Sequence, residues 1–252
     1  MKRSLCILMS VVLCVAFLSV SASAEVYDLS DTDLSVRLDD TIWYVFTRDN
    51  IENNAELEEL GISYDAMHDI LYRNEVYMDA IVYYENGEYF EFMVRKGSQD
   101  TRTVNLTECS DDLVLAMAET RAKQYEAKAY SIYKNQYKFA KLEHFDSNLN
   151  RFGCEYITIV NKDSYIFTFQ SESEFTDWEY RQMEDIIDSI AFRVDTSIEE
   201  KNESGVWAHV IPSTIGGAVV GGIVGGVIEI RKKKKKKAAQ EEAPPANTTE
   251  SE

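Results

Sequence analysis

The chain has 252 residues, with 44 Asp plus Glu against 26 Lys plus Arg and a formal net charge of −18. A surface of that sign repels nucleic acid and anionic lipid, and argues for solubility or cationic partners. With 12% aromatic residues the chain is too apolar for an acidic disordered protein.

The first 24 residues have the composition of a secretory signal peptide. Lys2 and Arg3 precede an apolar run over residues 5–20, and Ala22-Ser23-Ala24 is a small-residue cleavage site, which places the mature N-terminus at Glu25. Cys14 follows Val11-Val12-Leu13 and lacks the small residue a lipoprotein signal wants before its cysteine, so Cys6 and Cys14 leave with the signal. Residues 25–205 then hold 39 acidic and 17 basic side chains and no proline. That is enough chain for one domain with a sizeable core and too little for two.

Residues 34–37 and 43–47 alternate around Asp39-Asp40 and predict two short strands, with Trp43 as a core anchor. Residues 50–61 are polar and predict a loop or frayed helix ending at Gly61. Ser63 is a helix N-cap, with Met67, Ile70 and Leu71 on one face of a helix to about Arg73. Residues 76–85 and 89–96 flank Asn86-Gly87, a strong hairpin signal, because both turn residues tolerate positive φ. In the second strand Phe90, Phe92 and Val94 share one face, and Tyr89, Glu91, Met93 and Arg95 share the other.

Ser110-Asp111-Asp112 opens the longest predicted helix, run to about Asn135 on the stripe Leu115, Ala118, Ala122, Tyr125, Ala129 and Ile132. Strands follow at 137–145, 154–160 and 165–170, with turns at 147–150 and at Asn161-Lys162-Asp163, forming an antiparallel meander. Thr176-Asp177-Trp178-Glu179 is a capping box that opens a closing helix with Tyr180, Met183, Ile187 and Ile190 on one face. The predicted class is α+β, an antiparallel sheet covered by helices over residues 25–193, rather than alternating parallel units.

A polar linker at 194–205 leads to residues 206–228, which hold no Asp, Glu, Lys or Arg. About 20 such residues cross a bilayer core, so residues 206–230 are the expected single transmembrane helix. Arg231 and Lys232 to Lys237 follow as a basic stop-transfer block, which assigns the short acidic tail to the cytoplasm and the domain to the outside of a cell membrane. Gly217, Gly221 and Gly225 sit four apart beside Ala218, Gly222 and Gly226, a small-residue pattern that allows helix pairing into a homodimer and is equally tolerated in an isolated helix.

The order of elements resembles the PsbP-like family, named for an extrinsic photosystem II subunit, whose fold recurs in bacterial exported proteins and in Mog-type Ran-binding proteins. The residues carrying the resemblance are Leu38-Asp39-Asp40-Thr41-Ile42-Trp43, Tyr156-Ile157-Thr158-Ile159, Tyr165-Ile166-Phe167-Thr168-Phe169 and Ile186 to Phe192. Asp39 stands where relatives usually carry proline. The resemblance implies a non-catalytic binding or assembly module and supplies no ligand residues.

The motifs of chemistry are absent: no G-x-S-x-G, no H-E-x-x-H, no P-loop and no G-x-G-x-x-G. No cofactor is expected. Cys109 and Cys154 are compatible with one disulfide or with two separately buried thiols. A Cys-His hydrolase using either with His68 or His144 is the enzyme alternative, and it requires a spatial meeting. Asp28, Asp31 and Asp33, or Glu52, Glu56, Glu58 and Glu59, are carboxylate groups that calcium could use, without EF-hand spacing; a solvated face is the simpler reading. Arg121, Lys123, Lys128, Lys134, Lys138 and Lys141 concentrate positive charge among Tyr125, Tyr130, Tyr133 and Tyr137. This is the candidate contact face for an unknown protein or an anionic surface polymer, against the alternative of an ordinary charged helix surface. A sensor acting through a dimerising span is the third functional expectation.

Overall fold

The structure is a computed structural model that describes residues 24–97, 105–127 and 129–193. In chain order the first half holds strands β1 (Ala24–Asp28), β2 (Leu34–Asp39) and β3 (Tyr44–Thr47), helices α1 (Ala55–Leu60) and α2 (Tyr64–His68), and strands β4 (Val76–Tyr83) and β5 (Tyr89–Lys96). The second half holds helix α3 (Asp111–Tyr125), strands β6 (Ala129–Lys134), β7 (Lys138–Asp146), β8 (Arg151–Val160) and β9 (Asp163–Ser171), helix α4 (Asp177–Ser189) and the short strand β10 (Ala191–Phe192). Seven strands form one antiparallel sheet in the order β3-β4-β5-β9-β8-β7-β6, and β1-β2-β10 form a small second sheet. The architecture is therefore the α+β class expected, with the early strand pair divided between two sheets.

Local chemistry explains most boundaries. Gly61 ends α1 at φ 67°, its N–H bonded to Glu58 O, and Ser63 Oγ caps α2 by accepting from Ala66 N–H. Helix α2 continues as a π-helical turn over Asp69–Arg73, and Met67, Ile70 and Leu71 are buried. In the β4–β5 hairpin only Gly87 takes a left-handed φ, 84°; Asn86 instead lends its Oδ1 to the N–H of Glu88. Asn161 and Lys162, at φ 52° and 69°, form the two-residue turn between β8 and β9, a conformation whose twist suits a tight hairpin. Thr176 and Glu179 make the reciprocal capping box that opens α4.

The long helix expected to reach Asn135 stops at Tyr125. Glu126 adopts φ 51°, its N–H closes on Ala122 O, and Ala129–Lys134 becomes β6, paired with β7 through Ile132 opposite Ala140. The helical stripe is also turned: Val114, Met117, Ala118, Arg121 and Ala122 face inward, and Leu115 is 40% exposed. Val114, Met117, Ala118 and Ala122 supply the apolar part of this face, and Arg121 joins it by pointing into the protein toward Glu155.

The core has three parts. One face of the large sheet carries Phe90, Phe92, Val94, Phe139, Tyr156, Phe167 and Phe169, sealed by Met183, Ile186, Ile187 and Ile190 of α4 and by Leu34, Val36 and Leu38 of the small sheet. The other face carries two separate clusters. Phe46, Ile81, Tyr89 and Met93 lie under α1 and α2; Ala140, Leu142, Ile157 and Ile166 lie under α3. Cys154 belongs to the first face and Cys109 packs on the α3 cluster, so the two are separate thiols on opposite sides of the sheet and the disulfide alternative is not formed. Among the described residues no helix is long and apolar enough to cross a membrane. The expected span at 206–230, its glycines at 217, 221, 222, 225 and 226, the basic block, and nearly all of the expected signal peptide lie outside the described residues. The exception is Ala24, which begins β1.

Candidate functional site

A cleft of 470 Å³ opens where β1, the turn after β2, β3 and the start of α1 meet. Its construction is local. Asn50 folds back on β3, accepting from Thr47 N–H at 2.7 Å and donating to Val45 O at 2.9 Å, and Asn54 Nδ2 reaches the same carbonyl at 3.3 Å. That corner brings Asp49 and Glu56 to the cleft, β1 contributes Glu25 and Asp28, and the β2–β3 turn contributes Asp40. Trp43 and Val45 complete the lining; the indole is buried and packs on Phe90 at 5.4 Å between ring centres.

Five carboxylates thus surround one aromatic-backed opening. Among the described residues Asp28 pairs with Arg193 at 3.9 Å, and Asp40 and Asp49 have no ion-pair partner. The field is legible in its neighbours. Burial first, then Glu25, Asp40 and Glu56, holds the Tyr27 hydroxyl far above its ordinary range. Burial also raises the Glu56 carboxyl, opposed by the Val45 N–H and the Asn54 amide and reinforced by Glu59. A pocket of this size with a few convergent charges and an aromatic wall suits an organic cation, such as the side chain of a lysine or arginine. Among the described residues, no group of three or more His, Cys, Asp or Glu side chains is placed to hold a metal ion, so the acidic runs do not form a calcium cage there.

The second unusual feature is a band of buried charge. On the sheet face opposite α4, Asp79, Glu91, Arg95, Arg121, His144, Arg151 and Glu155 are all buried, between the α2 and α3 clusters. Arg121 Nε donates to Glu155 Oε2 at 3.3 Å, Arg95 to Thr168 Oγ1 at 3.2 Å, and Arg151 to Glu91 Oε2 at 3.5 Å and Gln170 Oε1 at 3.4 Å. His144 lies over Gly153, its cross-strand partner, and against Tyr125. A Cβ at Gly153 would stand 2.5 Å from the ring, so glycine is what lets the imidazole lie on the sheet. Burial pulls the His144 pKa below its ordinary value despite Glu155 and Asp146.

The expected basic face is not one surface. Arg121 is internal. Lys123 is exposed and paired with Glu119; Lys134 and Lys138 both pair with Asp111 at the start of α3; Lys141 points to the opposite sheet face, over the Tyr156 and Tyr180 rings and 3.3 Å from Glu143. Lys128 lies outside the described residues. Strand alternation separates Lys138 from Lys141, because three residues along a strand reverse the side.

The cysteine–histidine alternative gains no geometry. His144 and Cys154 lie on opposite sheet faces, and burial raises the Cys154 thiol to about 12. His68 stacks on Tyr72 at 4.4 Å on the outside of α2, and the Cys109 thiol donates to Asn105 O.

No family model matches the chain, and no curated protein does. Among solved structures it is similar to cyanobacterial PsbP from Synechocystis sp. PCC 6803, at 11% identity and a TM-score of 0.41, over 69% of this chain and 96% of that one. It is also similar to a protein from Bacteroides thetaiotaomicron VPI-5482, at 10% identity and a TM-score of 0.32, over 64% of this chain. There it spans 45% of the other protein's length.

Proposed function

We propose that this protein is a membrane-anchored, exported binding or assembly module without catalytic activity, and that the cleft at β1, β3 and α1 receives a cationic group of its partner. The observation that carries the reading is the lining of that cleft: Glu25, Asp28, Asp40, Asp49 and Glu56 around an opening backed by Trp43. Burying one cation there offsets mutual repulsion among the carboxylates, so association is favoured by charge and limited by salt. The anchoring part rests on the uncharged residues 206–228 and the six lysines after them. The polyanion-binding alternative is less favoured, since all five of its described cations are engaged by acidic side chains.

The test is calorimetric titration of the full-length protein in a mild detergent with a tetralysine peptide. Binding that weakens about tenfold or more from 20 to 200 mM salt, and several-fold in Asp40→Asn/Asp49→Asn, supports the cleft, each exposed carboxylate contributing about 0.2–1 kcal/mol. Binding unaffected by that double substitution rejects it. Retention of an anionic polymer that is lost in Lys123→Glu/Lys134→Glu would instead favour the basic residues around α3.

A further inference from the structure

We propose that Asp79 and Glu91 form a proton-holding carboxyl pair inside the sheet, and that loss of this proton loosens the α1–α2 cover from β3, β4 and β5. Neither residue lines the cleft. Asp79 on β4 stands opposite Met93, and Ile81 stands opposite Glu91, so the two carboxyls are diagonal neighbours on one face. Both residues are wholly buried.

Their hydrogen bonding is incomplete in a particular way. Neither Asp79 oxygen nor Glu91 Oε1 accepts from an N–H or O–H among the described residues. Buried acceptors of this kind are costly unless paired. A carboxylic O–H on one residue, donated to the other, is the donor this geometry lacks. Arg151 supports one charge on the pair through Glu91 Oε2, but it divides its Nη1 with Gln170 and also lies 4.7 Å from the Tyr89 ring centre.

Besides Arg151, one further cation, Arg95, acts on Glu91 through space. Arg95 is bonded to Thr168; Arg121 is bonded to Glu155 beside Tyr125 and His144. Along the same face stand Tyr83 and Tyr89, and from β3 comes Phe46, opposite Asp79. The helical cover presents Met67, Ile70 and Leu71, while its Asp69 and Arg73 pair with each other near solvent. Arg48 is occupied by the carbonyls of Leu71 and Val76. Burial nevertheless raises Asp79 to about 7 against the opposing effects of Glu91 and Arg151, and burial plus Asp79 raises Glu91 well above its ordinary value against the opposing effect of Arg95.

The sign follows from linkage. Both carboxyls bind their protons more tightly folded than unfolded, so their contribution is favourable at acid pH. It is lost as pH rises from the unfolded carboxyl range, about 4, toward 7, at about tenfold in the folding constant per pH unit for each proton. His144 acts oppositely, because a buried neutral imidazole disfavours folding as pH falls below about 6.5. The parent's own pH profile therefore mixes the two.

The experiment compares the full-length chain with Asp79→Asn and with Glu91→Gln by urea unfolding from pH 5 to 8, alongside infrared spectroscopy of the parent. The ratio of folding constants, Asp79→Asn over parent, should rise about tenfold per pH unit between pH 5 and 7. Amide exchange over residues 55–81, corrected for its intrinsic pH dependence, should accelerate above pH 7 in the parent alone. A protonated-carboxyl band should persist in the folded parent at pH 6 and vanish on unfolding. A flat ratio overturns the proposal. If neither variant folds, absence of that band overturns it and its presence supports it.

Discussion

The two faces of the seven-stranded sheet come from the same strands by simple alternation, yet they solve burial in different ways. The face under α4 is continuous aromatic packing: Phe92 stacks on Phe169 at 4.8 Å, Phe90 on Phe169 at 5.9 Å, and Tyr156 meets Phe169 edge-on. The face under α1, α2 and α3 is interrupted by buried Asp, Glu, Arg and His side chains, held by long-range pairs such as Arg121–Glu155 and Arg151–Glu91. Aromatic burial is favourable wherever it is dense and needs no particular partner. Buried ion pairs recover their desolvation only when every partner is in place. The first face therefore supplies stability, and the second ties α3 to β8 and β8 to β5 through specific partners.

Substitutions that damage one face alone would separate these roles. Phe169→Ala removes the ring at the centre of the aromatic face and should cost about 3–5 kcal/mol in urea unfolding. Arg121→Met leaves the Glu155 carboxylate buried without its guanidinium and should cost about 3 kcal/mol, nearly as much, for an electrostatic reason. The discriminating variant is Arg121→Met/Glu155→Leu. With both charges gone it should return to within about 1 kcal/mol of the parent, whereas no second substitution repairs Phe169→Ala so simply. A double variant as unstable as the single would mean that Arg95 and His144 depend on the pair. Gly153→Ala tests the tightness of the band: the imidazole of His144 must move, at about 2 kcal/mol, and most of that cost should disappear in a His144→Ala background.

Alternation made the aromatic face legible in the sequence. Phe90, Phe92 and Val94 sit two apart, the capping box announces α4, and Asn-Gly marks the hairpin. The ionic band followed the same alternation, in Tyr89-x-Glu91-x-Met93-x-Arg95, but charged residues are ordinarily assigned to solvent. Their partners lie 34 residues away for Arg121 and 60 for Arg151, beyond any local pattern. A charge-bearing strand face opposite an all-apolar one, in a strand central to a wide sheet, was the available signal. The end of α3 was hidden for a different reason. Ala129 and Ile132 continue a helical period, and only the left-handed Glu126, which no side chain demands, breaks it. The cleft was obscured because Glu25 and Asp28 stand beside an expected cleavage site, where no strand was assigned.

The smallest expected effects concern Glu179, among the described residues the one buried carboxyl group on the α4 side, and they sharpen the contrast best. Glu179 is 1% exposed, as buried as Asp79 or Glu91, but its oxygens are fully engaged. Oε2 accepts from Thr176 N–H at 2.6 Å and Thr176 Oγ1 at 2.8 Å, and Oε1 accepts from Tyr84 O–H at 3.0 Å. Thr176→Ala removes one donor and the helix cap and should cost about 1 kcal/mol. Tyr84→Phe removes another donor at similar cost. Both act on one carboxylate, so the double variant should exceed the sum of the singles by about 0.5 kcal/mol or more, read from a double-mutant cycle of urea midpoints. Additivity would mean that water replaces each donor independently, and that the rim of the aromatic face is wetter than its burial suggests. Coupling would show that the donors around Glu179 act on its carboxyl group as a unit: they are supplied by the fold, whereas both Asp79 oxygens and Glu91 Oε1 have no such donor among the described residues.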